Sequence, residues 1–138
     1  MTVDSEAIFA LAAHSANEPR ALEALVGSMA SAWLDERAPG TVFLARGIGR
    51  PLWLGAGRNE LFFASTRDAL EVLERYAGIR LKKRKLPDGS FLELRDGGIA
   101  RNERFRPDRT YVEDGSLPAV RAPGEGVSCL ARLDALAA

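Results

Sequence analysis

The sequence predicts an α+β domain built on a mainly antiparallel sheet, and three observations predict it. Two segments with helical spacing of apolar residues precede a block of short runs rich in strand formers. Those runs are separated by glycine, proline and asparagine clusters, which are too short to hold the crossover helices that parallel strands require. One more helix signal then interrupts the strands, so elements of one type cluster together instead of alternating.

Taken in order, residues 3–16 carry Ile8, Leu11 and Ala12 at helical spacing, with Asp4 placed as an N-cap and Val3 and Ile8 as its hydrophobic staple. Asn17 and Pro19 punctuate the chain. Ala21, Leu22, Leu25, Val26 and Met29 then mark the apolar face of an expected second helix. Strands are expected at 31–34, 41–45, 51–54 and 60–64, running as an antiparallel meander through turns at Pro39-Gly40, 47–49 and 55–59. Ser65 or Thr66 caps a helix through Tyr76. Runs at 79–86 and 90–94 flank Pro87-Asp88-Gly89, and 98–105 adds a strand after Asp96-Gly97. Residues 1–105 therefore form the folded unit. Residues 106–126 thin into Pro, Gly and charge as an extended arm, with a short closing helix expected at 127–137.

Composition narrows the function. The 138 residues are 46% hydrophobic and 28% charged, which suits one domain with a real core. Lys plus Arg and Asp plus Glu number 19 each, so no net field draws the chain to nucleic acid or an anionic membrane. No apolar run approaches the roughly 20 residues of a membrane span, and the start lacks the order of a signal peptide. A cytoplasmic protein with neither nucleic acid nor membrane as partner is expected. The single cysteine, Cys129, and the single histidine, His14, lie far apart, so no metal cluster is read and no cofactor is expected.

Five segments then carry a resemblance. "VDSEAIFALAAH", "LVGSMASAWLDE", "TVFLARGIGRPLWLG", "ELFFASTRDALEVL" and "LPDGSFLELRDGGI" stand in order and at similar spacing to the second half of class II glutamine amidotransferase domains, the N-terminal-nucleophile glutaminase type. The resemblance covers about residues 3–101. It implies part of an Ntn-hydrolase-like αββα sandwich, two antiparallel sheets between helical layers, with strands drawn from both halves of the family sequence.

The family chemistry uses an amino-terminal cysteine whose thiol attacks the glutamine amide. It also uses an Arg-(Trp/Tyr)-Ala-Thr segment for the glutamine carboxylate and an Asn-Gly pair for the oxyanion. All three belong to the first half of the family domain, and none occurs at the matching place here, so no catalytic residue is assigned. Asp4 does carry over: it matches the family aspartate that accepts a hydrogen bond from the α-amino group of glutamine. The residues alone read it as the helix N-cap, and both roles can hold together. Thr2, exposed by removal of Met1, would offer an alternative nucleophile. Its place two residues before a helix, instead of at the start of a core strand, argues against it.

Other features take a structural reading. "RLKKRK", residues 80–85, is expected to be a lysine-guarded edge or solvent-facing strand rather than a phosphate contact. "ARGIGR", residues 45–50, lacks the Gly-Lys-Ser/Thr ending of a phosphate loop and reads as a hairpin turn. His14 is a surface or boundary residue, and Trp33, Trp53, Phe62 and Phe63 are packing residues. Two functions follow. The first is a glutaminase half-domain, inactive alone, that acts on glutamine when complemented by a cysteine-bearing half. The second is a non-catalytic interaction module derived from such a half. Either expects a complementing chain or a homo-oligomer to cover sheet surface around Trp53, Leu54, Phe62 and Phe63.

Overall fold

The computed structural model describes residues 4–112, with side chains from Glu6 onward. It is a mixed α+β domain with mostly antiparallel sheets. Its elements are α1 (Asp4–His14), a 3-10 turn (Pro19–Ala24), β1 (Ala30–Leu34), β2 (Thr41–Arg46), β3 (Trp53–Ala56), β4 (Leu61–Ala64), α2 (Arg67–Ala77), β5 (Lys82–Lys85), β6 (Ser90–Arg95) and β7 (Gly98–Arg104). The expected closing helix, Thr2 and Cys129 lie outside the described residues.

The strands form two sheets, ordered β1-β2-β6-β7 and β4-β3-β5. Alternation of side chains gives each sheet two apolar faces. In the larger sheet Phe43, Ala45 and Phe91 share one face, where Leu22, Met29 and Phe105 pack with Ile8 and Leu25 of the helical segments. Leu44, Leu92 and Leu94 share the other face and meet Leu52, Leu54 and Leu86 of the smaller sheet. The two sheets thus bury their facing sides against each other. On the far side of β3, a Cβ at Gly55 would stand 3.1 Å from Leu81 and 3.3 Å from Leu70, so the absent side chain is what lets α2 lie close. Leu70 is the buried residue of α2.

Three expectations are corrected. The single meander is not formed, because β2 pairs with β1 and β6 while β3 pairs with β4 and β5. Residues 45–50 consequently link two sheets and do not close a hairpin. Pro87-Asp88-Gly89 carries the chain back from β5 to β6 in the same way. Local turn chemistry looks the same in both cases. What separates the strands is the burial of Leu44 against Leu52 and Leu54 across the intersheet gap. The expected second helix is likewise only a 3-10 turn, and the chain is already extended at Leu25 (φ −86°, ψ 133°). Gly27 at φ 129° breaks helical continuation, and the Met29 N–H donates to the Ile48 carbonyl (3.0 Å), drawing the segment into the sheet.

Other turns follow the sequence. Asp96 and Gly97, both at positive φ (51° and 72°), close the β6–β7 hairpin as a two-residue turn. Thr66 caps α2 by accepting a hydrogen bond from the Ala69 N–H (3.2 Å), and Gly78 ends it in the left-handed region.

Candidate functional site

The most connected polar group lies where α1 meets the end of β1. Ala16 and Asn17 follow the helix at positive φ (52° and 63°), a conformation asparagine tolerates better than most residues. This turn drives Asn17 inward, leaving it 6% exposed. Its amide oxygen accepts from Trp33 Nε1 (2.9 Å), and its amide nitrogen donates to Asp35 Oδ2 (2.6 Å). Arg37 holds the same carboxylate: its backbone N–H and Nε each donate to Oδ1 at 2.9 Å, and Nη2 donates to Oδ2 at 2.6 Å. Arg37 Nη1 donates to the Ala13 carbonyl (2.8 Å), one of the carbonyls left open at the end of α1.

The electrostatics follow from these contacts. The Arg37 side chain, then its backbone N–H, then the Asn17 amide hold the Asp35 carboxyl well below the usual carboxylate range, and Asp35 in turn raises Arg37. Two recesses flank the group. A cleft of about 670 Å³ runs along Phe9, Ala13, Trp33, Leu34 and Arg37, and a smaller one of about 270 Å³ lies between Arg37, Phe43, Glu93 and Arg95. Among the described residues, neither is lined by a cysteine, serine, threonine, lysine or histidine. Asp35 already accepts five hydrogen bonds, so it has little capacity left to act as a base or to ligate a metal. The group is a brace between helix and sheet.

A second buried polar centre is Arg46, 7% exposed at the end of β2. Its Nε donates to the Arg50 carbonyl (2.8 Å), Nη1 donates to the Leu86 carbonyl, and Nη2 pairs with Asp88 Oδ1 (2.8 Å). One guanidinium therefore holds both passages between the sheets, the one leaving β2 and the one leaving β5.

Asp4, the one site residue assigned from sequence, is the first residue of α1. That places Asp4 in the first turn of the helix, and the residues before it lie outside the described ones. Nine residues of helix, about 14 Å at 1.5 Å per residue, separate its backbone from that of Ala13, so the fold does not bring Asp4 to the Asn17–Asp35–Arg37 group. His14 ends α1 and is exposed, as expected. Trp33 stacks on Phe43 with centroids 5.6 Å apart, which places it in packing. Sequence reasoning missed both Asn17 and Arg46. Asn17 could have been noticed as an asparagine directly after a helix, but Arg46 carries no local signal because its partners lie up to 42 positions away. No group of three or more metal-ligating side chains occurs among the described residues.

Comparison with known proteins adds no relative: no protein-family model, no curated protein and no solved structure matches the chain.

Proposed function

We propose that these 138 residues are the carboxy-terminal half of a class II glutamine amidotransferase-like domain, folded as part of an Ntn-hydrolase-like αββα sandwich. The observation that carries the reading is the pair of facing antiparallel sheets with helical segments on their outer sides, opened by a helix whose first residue is Asp4. Asp4 receives the α-amino group of glutamine. The nucleophile and the oxyanion donors come from residues outside these 138, so the isolated chain has no glutaminase activity.

Two measurements test this. Purified chain incubated with glutamine releases no glutamate above background. Native mass spectrometry of the protein from its own source finds it joined, covalently or as a separate chain, to a segment that begins Cys-Gly and contains an Asn-Gly pair. That assembly releases glutamate, and Asp4→Ala raises its KM for glutamine. A source assembly without such a segment overturns the reading in favour of a non-catalytic module. So does an assembly with the segment but without glutaminase activity.

A further inference from the structure

The cations of this neutral chain are unevenly matched. Arg37, Arg46, Arg67 and Arg101 each meet a carboxylate. Arg80, Lys82, Arg84 and Lys85, like the scattered Arg20, Arg58 and Arg75, meet none among the described residues, but these four cluster on or beside β5, whose remaining member is Lys83. Lys82, Arg84 and Lys85 are exposed. The strand pairs on one side with β3 and is an edge of its sheet.

Backbone parity fixes which groups of that edge are open. The Leu86 N–H donates inward to the Leu52 carbonyl (2.9 Å), so with antiparallel alternation Arg84 and Lys82 also bond inward. Lys83 and Lys85 therefore turn their backbone N–H and C=O groups outward. The same parity turns the Leu81 N–H outward, and there a carboxylate already takes it: Glu74 Oε1 accepts from Leu81 N (2.6 Å), and Glu74 Oε2 pairs with Lys83 Nζ. This double engagement holds the Glu74 carboxyl below its ordinary range, with the Lys83 bond the largest cause. One acidic side chain on this edge thus satisfies a backbone donor and a lysine together.

We infer that the β5 edge is a docking strand for an extended acidic segment of a partner protein, which adds beside Lys83 and Lys85 and sets its carboxylates against Lys82 and Arg84, which share one face of the strand. The charges select the occupant. A second copy of β5 would place four cations against four, and like charges opposite one another are repelled. An acidic strand gains backbone bonds and charge pairs at once. Single-stranded nucleic acid is disfavoured because the residues of β5 supply no aromatic platform for bases.

The test uses the full chain, a fluorescent peptide of alternating glutamate and valine, and a single-stranded oligonucleotide of similar charge. The peptide binds at low salt, and Lys82→Glu with Arg84→Glu weakens it by about tenfold or more. Raising salt from about 50 to about 500 mM also weakens it. Amide exchange at Lys83 and Lys85 slows in the complex. Tighter binding of the oligonucleotide overturns the inference, as does peptide binding indifferent to the charge reversal. Binding without protection at Lys83 and Lys85 also overturns it, since that would be diffuse attraction. Both reversed positions are exposed, and an unchanged melting temperature in the variant confirms that any loss of binding is not loss of fold.

Discussion

Replacing Arg46 by methionine tests whether one buried guanidinium holds the two sheets together. Methionine keeps most of the side-chain volume, so the change reads polar loss more than cavity formation. The Leu86 carbonyl, on a residue 1% exposed, loses its donor, and a buried unsatisfied acceptor costs about 2 kcal/mol. The Arg50 carbonyl is half-buried and rehydrates in part, adding about 1 kcal/mol. Asp88, with its side chain 32% exposed, regains water and stands 4.0 Å from Arg109, so loss of its pair adds only a few tenths of a kcal/mol. The expected destabilisation is about 3 kcal/mol, seen in urea unfolding as a lower midpoint at unchanged slope and in heating as a fall of about 10 °C. Arg46→Lys recovers less than half, because one ammonium cannot reach three partners in two chain passages. A loss under about 1 kcal/mol for Arg46→Met would refute the reasoning and mean that the sheets are held by the leucine interface alone.

Four more outcomes follow from the geometry. Leu70→Ala removes the buried anchor of α2 and costs about 3 kcal/mol in denaturant unfolding, while Gly55→Val crowds Leu70 and Leu81 and costs about 2 kcal/mol. Trp33→Phe leaves the Asn17 amide oxygen without its donor and costs about 1–3 kcal/mol by the same measurement, with Phe43 stacking retained. The depressed carboxyls of Asp35 and Glu74 bind fewer protons folded than unfolded, so their contribution is full above the ordinary carboxylate range near pH 4 and is lost as pH falls below it. Unfolding midpoints at pH 7 and pH 3 check this, and Asp35→Asn flattens the difference. Phe63→Glu, at a residue 41% exposed on β4, changes the stability of the isolated chain by less than about 1 kcal/mol in urea unfolding, and a larger loss would refute the reading of that ring as a surface residue.

The sequence by itself determined the class of the fold, the existence of nearly every element and the chemistry of the local turns. Thr66 as a helix cap, Gly78 as a helix end and Asp96-Gly97 as a hairpin turn are all decided within a few residues, where backbone preference and side-chain reach act without distant help. The lysine-rich run was legible as an edge for the same reason, since charge on successive residues forbids burial. Tertiary structure alone decided which strands became neighbours. Residues 45–50 read as a hairpin turn and 87–89 as a turn between two strand runs, because glycine and proline permit both. The chain instead crosses between sheets at both, and Leu44, Leu92 and Leu94 are buried against Leu52, Leu54 and Leu86 in the gap that this crossing creates. Leu22, Leu25 and Met29 show the same limit, since their spacing fits a helix while an extended chain ending on the sheet satisfies the same burial. The buried polar groups were the least legible. Asn17 meets Trp33 and Asp35, and Arg46 meets Leu86 and Asp88, across separations of 16 to 42 residues, and a side chain's partners at that range exist only once the sheets have been assembled.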